Sequence, residues 1–441
     1  MIGIVVSRAD HASVHIGEQL HALADWTEST DERRPDGAGG GTVYHTDGFE
    51  LREFDDLHIE LEDAAAAFDD PDYLVFTSRH AGDTGPLLTA HFTGNFGPAE
   101  YGGVEGGLAR ACPNAHKAVV AALAEHAPDG YDVGMECTHH GPSEVGVPSM
   151  FVELGSGDEQ WEDAEAARAV AEAILSLDGV PTDRERQLVA FGGGHYVPRP
   201  TRIVTETDWA VGHIAADWCL ADMGTPEQNR ETIARAFEQS NAAHAVVDGE
   251  KPDLVAVIES LGFRVVSERW VRETDAVALD AVSALETALC SVDDGLRFGT
   301  AREAWTDDFT TVSLPADLVQ EAEGIDREAV RTAAESTLLA FTTEEAGTRV
   351  GAQAAVSDPA NRREFVEALV AVLRQKYDEV TIQEDAVVAQ ISTFDPSKAE
   401  TLGIPEGPAF GKLASGQPVT IRGREIPPAE VQTRREHRFV L

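Results

Sequence analysis

The chain has 441 residues, of which 42% are hydrophobic, so it is long enough to form two or three domains with buried cores. Its 78 Asp and Glu residues outnumber 34 Lys and Arg, and the formal net charge is −44. These carboxylates are spread over the whole length, which excludes an acidic tail and predicts a halophilic, archaeal protein of the cytoplasm, since molar salt screens such self-repulsion.

Strand and helix patterns alternate over the first 270 residues. Buried-strand patterns occur at residues 2–7, 72–80, 86–94, 149–156 and 186–191, and helical periodicity at residues 12–26, 114–128 and 158–177. This alternation predicts an α/β fold with a parallel or mixed sheet. No run approaches the roughly 20 apolar residues of a membrane span.

The composition and periodicity of the sequence change after residue 271. Acidic, helical segments dominate residues 272–383 and carry no catalytic cluster, so we predict a helical insertion or subdomain there. Residues 384–441 return to short strands and Gly/Pro turns. We expect this C-terminal segment to pack back on a catalytic α/β domain formed by residues 1–271.

Several predicted strands end in histidine. In an open α/β sheet, ligands bind beyond the carboxyl ends of the strands, so we expect a shared site for His80, His139, His140 and His195. Neutral imidazoles and carboxylates suit zinc, which in catalytic sites takes about three protein ligands. Glu136 and Glu153 are candidates for a carboxylate ligand or a general base. The absence of HExxH from the sequence excludes the helical metalloprotease arrangement.

Two glycine-rich loops are candidate substrate contacts. The segment GNFG places Asn95 and Phe96 between glycines, where they could lie against a flat ring such as a terminal nucleobase; alternatively, Phe96 belongs to the core. In FGGGHY, residues 192–194 let the backbone approach a ligand closely and could supply amide donors. The four cysteines are far apart, without a CxxC pair, and Cys137 is predicted to be a packed thiol.

Seven motifs occur in an order that resembles a known family. MIGIVVSRADHASVHIGEQL, YLVFTSRHAGDTG, LTAHFTGNFG, GMECTHHGP, FVELGS, FGGGHYVPR and GIPEGPAFGKLASGQPV together are similar to the D-aminoacyl-tRNA deacylases of the archaeal and plant type. The resemblance covers residues 1–270 and 384–431. It implies a phosphorylase/hydrolase-like three-layer α/β/α sandwich with a mixed sheet, two zinc ions per subunit, and hydrolysis of the ester that joins a D-amino acid to tRNA.

The resemblance assigns no individual ligand, so the candidate residues come from the histidine pattern and the loops. We predict four metal ligands, which are His80, His139, His195 and Glu153. The predicted catalytic residues are Glu136, Thr138 and His140. The predicted substrate contacts are Asn95, Phe96, Gly192, Gly193, Gly194 and Arg199.

Two other functions remain open on the sequence. One is a zinc-dependent amidohydrolase or peptidase that acts on a small substrate with the same histidines. The other is a non-catalytic nucleoside- or RNA-binding module. For the deacylase, we expect a cytoplasmic monomer whose partner is aminoacyl-tRNA, with neither DNA nor a membrane as partner.

Overall fold

The structure is a computed structural model that describes residues 1–300 and 308–441. The chain forms two compact units, Met1–Asp275 and Ala276–Leu441. The boundary lies close to the predicted one at residues 271 and 272. Residues 301–307, which belong to the predicted helical segment, lie outside the described residues.

The larger sheet of the first unit has eight strands. They are β1 (Ile2–Ser7), β2 (Thr27–Asp31), β3 (Gly41–Thr46), β4 (Phe49–Phe54), β5 (Tyr73–Ala81), β6 (Leu87–His91), β7 (Asp132–Met135) and β8 (Ser149–Ser156). The order is β2-β3-β4-β1-β5-β8-β6-β7, with parallel pairing from β4 through β1 and β5 to β8 and between β6 and β7. The pair β6 and β8 is antiparallel, as are β2 with β3 and β3 with β4. The predicted α/β class with a mixed sheet is confirmed.

Three long helices contact this sheet, and a fourth, of a single turn, comes directly after β8. The helices are α1 (His11–Leu23), α2 (Pro113–His126), α3 (Asp158–Trp161) and α4 (Ala164–Leu175). The helix predicted at residues 158–177 is divided because the Asp163 side chain accepts hydrogen bonds from the amides of Glu165 and Ala166. This N-cap begins a new helix.

Asp10 connects the first helix to the centre of the sheet. Its carboxylate caps α1 by accepting from the amides of Ala12 and Ser13, and it also accepts from the amide of Arg79 on β5. We expect Asp10→Ala to lower the free energy of unfolding by about 1–2 kcal/mol, because these buried donors lose their acceptor. Asp10→Asn keeps one acceptor oxygen and should cost less. Urea titration of both variants in molar salt measures the difference; equal losses would contradict the capping role.

The first unit also contains a second, fully parallel sheet with the order β10-β9-β11-β12. Its strands are β9 (Gln187–Phe191), β10 (Ala210–Ala215), β11 (His244–Val247) and β12 (Arg264–Val265). The helices around it are α5 (Pro198–Glu206), α6 (Asp217–Met223), α7 (Arg230–Gln239), α8 (Pro252–Ser260) and α9 (Glu268–Glu273). The sequence predicted one mixed sheet, whereas the strands of this unit divide between two.

The second unit contains both helices and strands. Its helices are α10 (Leu279–Ala288), α11 (Ala316–Glu323), α12 (Arg327–Thr337), α13 (Pro359–Leu373), α14 (Pro396–Thr401) and α15 (Pro408–Ala414). Its strands are β13 (Leu296–Phe298), β14 (Thr310–Ser313), β15 (Ala340–Glu344), β16 (Arg349–Val356), β17 (Glu379–Ile382), β18 (Ala386–Phe394), β19 (Val419–Ile421), β20 (Arg424–Ile426) and β21 (Gln432–Val440). They form the sheets β13-β15-β16-β14, β17-β18-β21 and β19-β20.

Two features of this unit differ from the sequence prediction. Residues 272–383 are not purely helical: β16, which mixes three alanines with two valines and a glycine, pairs antiparallel with β14 and β15. Residues 384–441 were expected to pack on the first unit. In the structure, Val387 and Phe439 of this segment belong to a hydrophobic core with Leu318 and Phe365, within the second unit.

Candidate active site

One face of the larger sheet carries a row of polar side chains. Glu153 of β8 lies opposite Ser78 of β5 and Thr89 of β6, and Thr89 in turn lies opposite Gly134 of β7. Partners across neighbouring strands point to the same face, and so do residues two positions apart along one strand. His80 and His91, two residues beyond Ser78 and Thr89, therefore share this face.

The segment that follows β7 brings Glu136 to the centre of these side chains. The Glu136 carboxylate is 2% exposed. Its Oε1 accepts from the Thr89 hydroxyl at 2.5 Å, and its Oε2 accepts from His195 Nε2 at 2.7 Å. The Nε2 atoms of His80 and His139 lie 3.6 Å and 3.9 Å from the same Oε2. The Glu136 carboxylate thus has neighbours from β5, from β6, from the segment after β7 and from the loop after β9.

Burial raises the pKa of the Glu136 carboxyl, but its neighbours lower it by more. The hydrogen bond from His195 is the largest lowering influence, and the His91 imidazole, whose own pKa is raised, adds positive charge, so the net pKa lies well below the ordinary value. Glu136 is therefore ionised at neutral pH. The nearby Glu153 differs, because burial is the largest influence on it and raises its pKa.

Three histidines beside Glu136 are held in the same tautomer by backbone carbonyls. The Nδ1 atoms of His91, His139 and His140 donate to the carbonyls of Phe92, Cys137 and Gly141 at 3.0, 2.8 and 2.8 Å. A carbonyl can only accept, so each Nδ1 carries a proton, and Nε2 has a free lone pair wherever the ring is neutral. One ligand nitrogen from each of the three rings lies within 4.8 Å of those from the others.

These three histidines fit a zinc ion. Burial lowers the pKa of His139 well below its ordinary value and that of His140 to about 3, so both rings are neutral, as ligands must be. Among the described residues, the buried Nε2 of His91 has no hydrogen-bond partner; Glu153 Oε1 lies 3.5 Å away. Although burial opposes it, Glu153 raises the pKa of His91, so a proton on Nε2 would have to leave this ring before a metal could bind there.

A second group of possible ligands consists of Cys137, His139 and His195. Cys137 Sγ lies 3.5 Å from His195 Nδ1, and contact with the Cys219 thiol together with burial raises the Cys137 pKa far above its usual range. A zinc ion here would have to displace the proton of a thiol whose pKa is strongly raised, whereas the three-histidine group would lose at most the proton of His91. The first group is the better fit.

The four predicted metal ligands lie around the cluster but do not form one group. His139 belongs to both groups and His195 to the second. His80 is buried, with Nδ1 hydrogen-bonded to Ser156 Oγ at 3.0 Å and Nε2 to the Tyr196 hydroxyl at 3.3 Å. Glu153 lies beside His91, with its Oε1 3.5 Å from His91 Nε2. Ligand roles for His80 and Glu153 stay predictions.

Thr138, predicted to be catalytic, is engaged in a buried network. Its hydroxyl donates to His213 Nδ1 at 3.0 Å and accepts from the Ile214 amide at 3.1 Å. His213 Nε2 donates to the carbonyl of Ala109 at 2.7 Å. These contacts connect the segment after β7 to β10. A direct catalytic role of Thr138 stays a prediction.

The predicted substrate contacts have mixed surroundings. Asn95 donates to the Gly102 carbonyl, and Phe96 is 3% exposed with its ring against Phe191, so stacking on a nucleobase would require this loop to move. Gly192 and Gly193 have φ angles of 96° and 85°, which favour glycine. A Cβ added at Gly194 would meet open space. Arg199 forms ion pairs with two carboxylates, Asp248 and Glu268.

Sequence reasoning missed two residues of the cluster and one exposed ring beside it. His91 ends its strand in PLLTAHFTG, so the rule that selected the other histidines could have found it. Thr89, two residues earlier, has the alternation that places it on the same face. Trp218, 46% exposed, stacks its ring near that of His195 at a centroid distance of 6.2 Å, and no local pattern marks it.

Comparison with known proteins identifies the family. A family model described as D-aminoacyl-tRNA deacylase matches residues 67–266. A D-aminoacyl-tRNA deacylase of Natronomonas pharaonis is 56% identical over the whole of both chains, and that of Haloarcula marismortui is 53% identical, also over both whole chains. The chain belongs to the D-aminoacyl-tRNA deacylase family. The resemblance inferred from the seven motifs is thus confirmed, and haloarchaeal family members agree with the acidic composition.

The family match extends over both units. The D-aminoacyl-tRNA deacylase of Methanoregula boonei is 34% identical over 99% of this chain and 98% of its own. A crystal structure of a conserved protein of unknown function is 30% identical, with a TM-score of 0.56, and covers 63% of this chain and 99% of its own. That share is close to the size of the first unit, which has 275 of the 441 residues. Among the described helices, none combines the length and apolarity that a membrane crossing needs.

Proposed function

We propose that this deacylase-family chain hydrolyses the ester of D-aminoacyl-tRNA with metal-activated water at the Glu136 cluster, releasing the D-amino acid and tRNA. The observation that carries this proposal is the buried, ionised Glu136 carboxylate, 2.7 Å from His195 Nε2 and beside three imidazoles whose ligand nitrogens lie within 4.8 Å of one another. An ester needs a base for the attacking water and polarisation of its carbonyl. The cluster offers groups for both.

Glu136 is the proposed general base. Thr89 holds Oε1, which leaves Oε2 to take a proton from water on the side of the histidines. His195 bonds this oxygen through Nε2 and is partly exposed, so it lies between the base and solvent. We assign it the return of the proton to the leaving tRNA hydroxyl, because an imidazole exchanges protons readily near neutral pH.

His91, His139 and His140 are the proposed metal ligands. When bound there, a zinc ion would polarise the ester carbonyl and acidify water. The resemblance implies two ions. Because the two possible groups share His139, which has one free lone pair, a second ion would need Cys137, His195 and a ligand other than His139. We therefore assign the first ion to the three-histidine group.

Trp218 is the proposed platform for the terminal base of tRNA. Its exposed ring lies at an interplanar angle of 24° to that of His195, which puts an aromatic face beside the proposed proton donor. Bases of any sequence stack on such faces, and stacking does not depend on phosphate neutralisation, whose counterion release is weak in molar salt. Arg199 and Arg202 are both paired with Glu268, so their charges are already partly neutralised.

Deacylation of D- and L-tyrosyl-tRNA in molar KCl tests this function. We expect hydrolysis of the D ester and much slower hydrolysis of the L ester, loss of activity after chelation, and recovery with zinc. Turnover of N-acyl amino acids in place of the tRNA ester would indicate the amidohydrolase alternative. Binding of tRNA without turnover in the presence of zinc would indicate the binding module. The location proposed for this reaction is the cytoplasm, with the chain as a monomer.

A further inference from the structure

A cleft of about 620 Å³ lies between the edge of the larger sheet and α5. Leu87 and Thr89 of β6 and Gly134 of β7 line one side. The opposite side is one face of α5, where lining residues recur at helical spacing from Pro198 to Glu206. The volume is in the range of small-molecule sites, which is about 300–1,000 Å³.

The cleft adjoins the Glu136 cluster through two of its lining residues. Thr89 lines the cleft and donates its hydroxyl to Glu136. Tyr196 lines it too, and its hydroxyl lies 3.3 Å from His80 Nε2. The side chain of an amino acid whose ester lies beside the cluster would therefore be next to the cleft.

Gly134 keeps the sheet side of the cleft open. It lies opposite Thr89, on the face that also carries Glu153, and a Cβ added there would meet no atom within 4 Å. Its φ is outside the left-handed region, so any L residue can adopt this backbone. Backbone strain therefore does not require glycine here, and the missing side chain enlarges the cleft.

We infer that this cleft binds the side chain of the amino acid on the substrate and that Gly134 sets the largest side chain accepted. This inference rests on the proposed deacylase function. The rings of Tyr196 and Trp218 lie near His195 at 4.9 and 6.2 Å between centroids, and only Tyr196 lines the cleft. The exposed indole is thus available to the nucleobase, and the cleft to the acyl side chain. The cleft is lined in part by Asp132, Arg202 and Glu206. Its apolar part, with Leu87, Met135 and Pro198, suits apolar and aromatic side chains.

A graded series at Gly134 tests this assignment. The variants Gly134→Ala, Gly134→Val and Gly134→Phe are assayed with D-alanyl- and D-tyrosyl-tRNA. We expect kcat/KM for the D-tyrosyl ester to fall progressively, by about tenfold or more at Phe, because lost pocket volume discriminates by at least this factor. The D-alanyl ester should change less than about twofold. Strand β7 should tolerate Val and Phe, which favour strands, and thermal unfolding checks this.

Two other variants calibrate the series. Gly411→Val adds a side chain where a Cβ likewise meets open space, in the second unit, and should leave the ratio of the two substrates unchanged. Trp218→Ala should lower kcat/KM by the same factor for both substrates. Folded Gly134 variants that lose both activities in parallel, or neither, would overturn the cleft assignment while the wild-type activity stands. A wild-type chain inactive on every D-aminoacyl-tRNA would overturn the deacylase proposal together with it.

Discussion

Replacing Glu136 with glutamine is expected to lower kcat for D-tyrosyl-tRNA by about 10²–10⁴-fold, the usual contribution of a general base. The amide has nearly the same shape and can still accept from the Thr89 hydroxyl, but it cannot take a proton from water. KM should change little, because the carboxylate is buried and is proposed to act on water and not on tRNA. Single-turnover kinetics in molar KCl separate the chemical step from product release.

Two carboxylate variants make this test specific. Glu60→Gln neutralises an exposed carboxylate of the same unit and should leave kcat unchanged. Glu153→Gln tests the other candidate base, whose nearest imidazole atom, His91 Nε2, is 3.5 Å away. A larger loss at Glu153 than at Glu136 would reverse the assignment of the base. A normal rate in Glu136→Gln would remove Glu136 from the chemistry altogether.

His139→Ala is expected to remove bound zinc and to lower activity by at least about 100-fold, more than the loss of a supporting contact around a metal ligand. His139 is the one residue common to both possible ligand groups among the described residues. Elemental analysis of the purified variant measures zinc per chain independently of turnover. The control is His11→Ala, which changes an exposed histidine at the start of α1.

Two further variants decide between the ligand groups. If zinc binds to the three-histidine group, His91→Ala loses the metal and Cys137→Ser retains it. The reverse pattern would move the ion to the group with Cys137 and His195. Full zinc content in His139→Ala would exclude both groups and with them the proposed metal centre.

The α/β class could be predicted because its signals are local. The strands β1, β5 and β8 are runs of apolar residues buried along nearly their whole length, and such runs are visible in the sequence itself. Less could be predicted where pairing overrides propensity. The strand β16 mixes alanines with two valines and a glycine, so its composition favours neither helix nor strand clearly, and pairing with its antiparallel neighbours decides the outcome.

The sequence by itself determined which histidines follow strands, and the carboxyl-end rule then placed His80, His139, His140 and His195 at one edge of the fold. Only the tertiary structure decided their surroundings. The ring orientations of His91, His139 and His140 are set by hydrogen bonds from Nδ1 to nearby carbonyls. The place of His91 beside the other two rings depends on packing between residues far apart in the chain. The burial of Phe96 against Phe191 is of the same kind. Hydrophobic runs are formed by neighbouring residues and can be seen in the sequence. The tautomer of an imidazole and the exposure of a ring depend on tertiary packing, which no local pattern predicts.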